Sequence, residues 1–228
     1  MSVWFVPRDA AARSIGADAV ASALEARGES VIRNGSRGML WMEPLIERAD
    51  DRHGPRVGWS NVTAGQIDAG LPDEQSDNFM GAVEEVDYLA KQNRWIYERV
   101  GITDPVDPED FVAHGGLTGL KNALAMSGGD VVQSVTDSGL RGRGGAGFPA
   151  GIKWRTVADQ PPAPHAGESQ NAPAHKYICV NADEGDSGTF ADRMLIEGDP
   201  FCLLEGMTIA AHAVGADRGL VYLRSEYP

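Results

Sequence analysis

The sequence predicts an α/β protein built of two units. Residues 1–72 alternate short apolar strands with helical segments, and the acidic, polar stretch LPDEQSDN (71–78) follows them as a linker. From 175 to 227 a strand, helical segments and a second strand succeed one another. That is the order of a βαβ unit, which implies parallel strands and a right-handed crossover.

In chain order, VWFV (3–6) reads as a short apolar strand. GADAVASALEARG (16–28) reads as a helix, with Val20, Ala21 and Leu24 at helical spacing and Gly28 as its stop. SVIRNG (30–35), PLIERAD (44–50) and PRVGWSNV (55–62) read as strands, the last two around the polar DDRHG turn. TAGQIDAGL (63–71) reads as a closing helix with Thr63 as N-cap. EEVDYLAKQNRWIYERVG (84–101) is predicted helical, with Val86, Leu89, Trp95, Ile96 and Val100 on or near one face; TDPVDPEDF is a Pro/Asp connection. Further helices are expected at LTGLKNALAM (117–126) and DVVQSVTDSG (130–139), the second capped by Asp130 and ended by Gly139. WRTVADQ continues a helix from about Phe148, and QPPAPHAGESQNAPAH (160–175) is an exposed loop. HKYICVNADE (175–184) reads as a buried-type strand, a helix runs from about Pro200 to Ala213, and RGLVYLRSEY (218–227) is the second strand.

Hydrophobic residues make up 42% and charged residues 23% of the chain, an ordinary globular balance. The formal net charge of −13 argues against a nucleic-acid partner, which needs a basic footprint. No apolar run approaches the ~20 residues of a membrane span. MSVWFVPRDAA has neither the basic flank nor the apolar length of a signal peptide, so a cytoplasmic protein is expected. Cys179 and Cys202 lie in apolar runs and read as buried free thiols. Two cysteines cannot supply a four-thiolate iron–sulfur cluster. His53, His114, His165, His175 and His212 show no metal-ligand spacing, and no metal site is expected.

Chemistry concentrates in the second half. SGLRGRGGAGFPAGIKW (138–154) is glycine-rich, carries Arg141, Arg143 and Lys153, and reads formally as G-x-G-x-x-G through Gly142, Gly144 and Gly147. Glycines permit close backbone approach and expose N–H donors to a flat or anionic ligand. The dinucleotide fingerprint, however, follows a strand, and here a helix comes first. The two late strands run out into Asn181, Asp183, Glu184 and Asp186, and into Arg224, Glu226 and Tyr227. Ligands of open parallel sheets sit beyond the carboxyl ends of the strands. Carboxylates and an Asn amide there offer acceptors to the hydroxyls of a ribityl chain or a ribose. The same residues also fit a solvated acidic loop, and Lys153 a solvated lysine.

GLRGRGGAGFPAGIKW, NADEGDSGTFADRMLIEGDPFCLLEGM and YLRSEYP, in that order, resemble the FMN- and NADH-binding flavoprotein subunit of respiratory complex I. The same unit serves in the related diaphorase subunits of NAD-reducing hydrogenases and of NAD-dependent molybdenum formate dehydrogenases. The likeness covers roughly 115–228. VIRNGSRGMLWMEPLIERADDRHGPRVGWSNVT resembles the thioredoxin-like [2Fe–2S] domain of the smaller partner subunit, but no cysteine stands near Ser36, near Leu40 or in Val6–Ala12. The resemblance therefore implies a thioredoxin-like domain without a cluster over 1–72, a linker and helix over 73–114, and a partial Rossmann-like FMN-binding domain over 115–228. It also implies that relatives continue beyond this point to a [4Fe–4S] site. A fused N-terminal domain without cluster ligands resembles those diaphorase subunits more than the complex I subunit itself. A likeness over 90–150 favours the formate dehydrogenase subunit over the hydrogenase diaphorase. The implied cofactors are FMN and NAD. The implied partners are a thioredoxin-like [2Fe–2S] subunit and a catalytic subunit containing molybdenum and iron–sulfur centres.

Carried over by resemblance, Gly142, Arg143, Gly144, Gly145 and Ala146 lie against FMN and the incoming dinucleotide. Phe148 stacks near the nicotinamide or adenine, and Lys153 contacts the cofactor phosphate or the flavin. Asn181, Asp183 and Glu184 hold the ribityl chain and flavin edge, Asp186 contacts NADH, and Tyr222 and Glu226 line the dinucleotide pocket. Thr156 stands where relatives carry an aromatic against the adenine, and the 160–175 loop is longer than usual. No protein acid or base is implied for the hydride step. An assembly module that binds no flavin is the alternative of another class. An ordinary Rossmann dehydrogenase would lack here both the strand before the glycine loop and a catalytic Tyr-Lys or His-Asp set.

Overall fold

The computed structural model describes residues 2–164, 167, 169, 171–186 and 188–227; His165 and part of the 160–175 loop lie outside the described residues. The chain forms two units, Met1–His114 with Thr189–Phe201, and Gly115–Gly188 with Cys202–Tyr227. Both mix helix and sheet.

The first unit contains β1 (Val3–Phe5), α1 (Ala10–Ser14), α2 (Ala17–Ala26), β2 (Ser30–Ile32), β3 (Ile46–Ala49), β4 (Val57–Trp59), α3 (Ala64–Ala69), β5 (Phe79–Ala82), α4 (Asp87–Ala90) and α5 (Pro108–Ala113). Its strands form one sheet in the order β2-β1-β3-β4-β5, with β1 and β2 parallel and the other neighbours antiparallel. Period-two alternation sends Trp4 and Trp59 to one face, where their rings lie 5.3 Å apart. Val20, Leu24, Ile46 and Ile67 join them in a buried cluster. Burying each such side chain contributes about 1.5–3 kcal/mol. Thr63 caps α3 as expected, accepting the Gln66 N–H while the Gln66 side chain accepts the Thr63 N–H.

The first unit departs from the sequence reading in four places, the first being α5, which starts at Pro108 inside the TDPVDPEDF stretch read as a connection, with Asp107 as its cap. α1 is an added helix, capped by Asp9, whose carboxylate accepts the N–H groups of Ala11 and Ala12. The sheet does not end at residue 72: after the polar 71–78 turn, β5 pairs with β4, placing Phe79 opposite Trp59. The predicted helix over 84–101 is also absent; only Asp87–Ala90 is α-helical there, and Trp95 is 81% exposed. Tertiary hydrogen bonds override the helical pattern. Arg56 donates to the carbonyls of Gly101 and Ile102, Asn34 donates to Gly101, and Gly101 adopts a left-handed φ of 83°.

The second part of the chain adds α6 (Thr118–Leu124), α7 (Gly128–Asp137), α8 (Ala150–Ala158), β6 (Tyr177–Ala182), α9 (Ala191–Gly198), α10 (Pro200–Val214) and β7 (Arg218–Leu223). α9 belongs to the first unit, and α10 from Cys202 onward to the second. β6 and β7 pair in parallel from Tyr177 and Arg218 to Ala182 and Leu223, as the βαβ reading requires. Trp154, Ala158, Ile178 and Ile209 pack on a small core of Ala123, Val131, Val132, Ala213 and Val214. Two side chains tie helix ends into this unit. Glu205 of α10 accepts the N–H groups of Leu117 and Leu120 at the start of α6, which has no capping side chain of its own. The Lys176 ammonium donates to the carbonyls of Ala158 and Val214, at the ends of α8 and α10.

Asp130 is not the cap of α7. Ser127 is, with its hydroxyl accepting the Asp130 N–H and donating to the Asp130 carboxylate at 2.6 Å. The cysteines are not buried either: Cys179 is exposed and Cys202 half-buried. For Cys179, on β6, the reason is architectural. A two-stranded sheet leaves one face uncovered, and every residue of β7 is exposed. Among the described residues, no helix is long and apolar enough to cross a membrane.

Candidate functional site

α7 hands the chain to the glycine loop, and α8 receives it. Gly139 follows α7 with a left-handed φ of 69°. The base of the loop is clasped: Gly142 N–H donates to Phe148, Ala150 N–H donates to Leu140, and Arg141 Nε donates to the Gly147 carbonyl at 2.5 Å. Gly142, Arg143, Gly144, Gly145 and Ala146 are all exposed. Nothing lies within 4 Å of where a Cβ would stand at Gly144 or Gly145, so the loop presents open backbone. Phe148 is 45% exposed, and the exposed Lys153 on the first turns of α8 holds its ammonium 5.7 Å from the Phe148 ring centre. Thr156 is exposed further along the same helix.

α8 begins at this loop and ends against the start of β6. Ala158, in its last turn, accepts from Lys176, the residue before β6. Trp154, one turn earlier, packs on the same small core as Ile178. The end of α8 is thus tied to the residue before β6, and both elements pack on one core.

At the carboxyl end of β6 the acids gather. Asn181 is the cross-strand partner of Tyr222, which is 69% exposed. The Asn181 side-chain oxygen accepts the Asp183 N–H at 3.1 Å, and Asp183 and Asp186 are exposed. Glu184 is nearly buried, at 9% exposure. Its carboxylate accepts from the Tyr227 hydroxyl at 2.5 Å, and its carbonyl accepts from Arg224. Glu226 forms an ion pair with Arg224 at 3.1 Å and accepts from the Ser225 hydroxyl, and these hydrogen bonds, that with Arg224 foremost, hold it below the usual carboxylate range. Glu226 is therefore an anion at neutral pH.

The predicted residues thus fall into two connected sets. One is the loop with Phe148 and Lys153; the other is the acids of β6 with Tyr222 and Glu226 of β7. Arg224 and Tyr227, which orient Glu184 and Glu226, carry no role in the sequence reading. Their place just past β7 was the only signal for them. His53, Asp110 and His114 are likewise brought together only by the fold.

Residues 135–228 match the family model of the Nuo51 FMN-binding domain. The chain is 45% identical over 138 residues to the NADP-reducing hydrogenase subunit HndC of Solidesulfovibrio fructosivorans, covering 60% of this chain and 26% of that protein. It is 44% identical over 118 residues to a polypeptide of the NADH-quinone oxidoreductase of Rhizobium meliloti (strain 1021), covering 51% and 25%. It is 45% identical over 108 residues to the NAD-reducing hydrogenase HoxS subunit alpha of Cupriavidus necator, covering 47% and 16%. The chain spans about a quarter or less of the length of these relatives. The matched segment, 135–228, holds the glycine loop and both strand ends.

Proposed function

We propose that this chain is the FMN- and NADH-binding part of an NAD-dependent oxidoreductase. The observation that carries the reading is the family match over 135–228, together with the acceptors collected at the carboxyl ends of β6 and β7. FMN, when bound, supplies the switch between hydride transfer with NAD(H) and single-electron transfer to iron–sulfur centres. The protein's own work is binding and orientation. Arg143 and the open backbone at Gly142, Gly144, Gly145 and Ala146 offer donors to a phosphate. Asn181, Asp183 and Glu184 offer acceptors to ribityl hydroxyls, and Asp186 and the anionic Glu226 to a nicotinamide dinucleotide. Phe148 and Tyr222 present aromatic faces, and Lys153 a cation. No side chain is assigned a proton-transfer role.

The first unit is read as a thioredoxin-like domain without a cluster. Its parallel β1–β2 pair, the antiparallel β3–β4 pair beside it and the helix after β4 support this. Where cysteines are missing, Ser36 donates instead to the buried Glu43 at 2.6 Å. The proposed partners are a [2Fe–2S] subunit and a catalytic subunit with a molybdenum centre. Formate as the electron source rests on the sequence likeness of 90–150, and mass spectrometry of co-purifying subunits tests it against hydrogen.

The uncovered β7, with Leu220 at 52% and Leu223 at 45% exposure, favours the second reading, a docking module that binds no flavin. The visible spectrum of the purified chain after incubation with FMN and desalting separates the two. Retained flavin bands support the site; a folded, colourless protein supports the module. In a flavin-loaded preparation, Glu226→Gln is expected to raise KM for NADH about fivefold, the equivalent of one hydrogen bond. Unchanged NADH kinetics would remove Glu226 from the site.

A further inference from the structure

Outside the segment 135–228, the first unit brings two imidazoles and a carboxylate to one point. Ligand atoms of His53, Asp110 and His114 all lie within 4.8 Å of one another. His53 sits in the exposed turn between β3 and β4, and its ring packs against that of His114 with centroids 5.2 Å apart. Asp110 and His114 stand one helical turn apart, on α5 and at its end.

Two details suit a metal. His114 Nδ1 lies 2.9 Å from the Asp110 carbonyl oxygen. The same Nδ1 lies 3.4 Å from the Asp110 carboxylate; with Nδ1 as donor, Nε2 keeps its lone pair, the arrangement in which metal-binding imidazoles are held by an outer partner. The Asp110 carboxylate is 4% exposed and already fixed, accepting from Arg52 Nε at 3.2 Å and from the Asp104 N–H at 2.8 Å. Arg52 opposes a cation, but it also pairs with Asp107 at 2.7 Å, so two carboxylates flank one guanidinium.

We propose that His53, Asp110 and His114 form a binding site for a divalent cation of the Zn²⁺ class. Two nitrogens and one oxygen match open Zn²⁺ sites and are too nitrogen-rich for Mg²⁺ or Ca²⁺. Metal–ligand bonds of about 2.0–2.2 Å need the ligand atoms to draw in, and rotation of the exposed His53 ring supplies that movement. The bound ion ties the β3–β4 turn to α5.

The test is calorimetric titration of ZnCl₂ into the EDTA-stripped, untagged 228-residue chain. One saturable micromolar site is expected, weakened at least about tenfold in His53→Ala. His53 is exposed, so that variant is expected to keep the wild-type far-UV circular dichroism. Co²⁺ in place of Zn²⁺ is expected to give visible ligand-field absorption that His53→Ala loses. Absence of saturable Zn²⁺ binding, or equal affinity in wild type and His53→Ala, overturns the site.

Discussion

The Tyr227 hydroxyl donates to the Glu184 carboxylate across 2.5 Å, joining the residues that follow β7 to those that follow β6. Arg224 reinforces the join by donating to the Glu184 carbonyl. Glu184 is thus the one proposed flavin contact that is both nearly buried and oriented from the neighbouring strand. Tyr227→Phe keeps the ring and removes the donor. It is expected to weaken FMN binding by about tenfold and stability by roughly 1–2 kcal/mol. Quenching of flavin fluorescence on titration reads the first and urea unfolding the second. Wild-type FMN affinity in Tyr227→Phe would show that Glu184 orientation plays no part in binding.

Gly151 sets how closely α7 and α8 approach. A Cβ there would stand 2.3 Å from Thr136 Oγ1 and 2.6 Å from its Cα, so any side chain forces the helices apart. Gly151→Ala is expected to cost about 1–3 kcal/mol in urea unfolding, the range for overpacked contacts. Because α8 carries the glycine loop at its start, FMN affinity is expected to fall with it. Thr136→Ala in the same chain removes the hydroxyl but not the backbone contact, so only partial rescue is expected. Full rescue would mean that the backbone approach is not what Gly151 protects.

Features encoded within a few residues were legible in the sequence. Thr63 and Gln66 form their capping box because both halves of it lie within one turn. β6 and β7 follow from apolar runs, and the acids stand just past the end of β6 and of β7. Features set by distant partners were not legible. Residues 84–101 carry a helical pattern, yet Asn34 and Arg56 bind the backbone of Gly101 and Ile102 and turn the chain instead. Tyr227 and Arg224 gain their roles only by meeting Glu184, forty or more residues away. His53 meets His114 only through the packing of the first unit.

The first unit holds a charged cluster where a core is expected to be apolar. Arg37 forms a two-pronged pair with Glu47, both bonds 2.8 Å, and Arg56 reaches the same carboxylate at 3.2 Å while lying over the Phe5 ring. Burial works to raise the Glu47 pKa, but the charges of Arg37 and then Arg56 hold it below the usual range. Glu47→Gln keeps the shape and leaves two buried guanidinium groups short of a countercharge. A loss of about 3–5 kcal/mol is expected, because a buried pair is costly to break from one side. Urea unfolding followed by tryptophan fluorescence measures it, with Trp4 and Trp59 as probes inside this unit. A loss below about 1 kcal/mol would mean that water compensates, or Glu84, which accepts from Arg37 at 2.6 Å.

Glu43 gives the same unit a pH dependence of opposite sign to that of most carboxylates. Burial pushes its pKa up to about 7, against the lowering effect of bonds from the Ser36 hydroxyl and the Leu45 N–H; Asp9 and Glu47 push in the same direction as burial. In the unfolded chain the group titrates near 4.5. Between those two values the folded state binds the extra proton, so stability falls as pH rises through this window and levels off above it. The difference of about 2.5 units corresponds to roughly 3 kcal/mol lost between acidic and alkaline conditions. Glu43→Gln removes the titration. Rotation of the Ser36 hydroxyl lets it accept from the amide while the amide oxygen accepts from Leu45. At pH 5 wild type and variant are expected to be of similar stability, and at pH 8 the variant is expected to be the more stable. Urea unfolding at both pH values reads the difference, and parallel behaviour of the two proteins would show that Glu43 does not carry the proton.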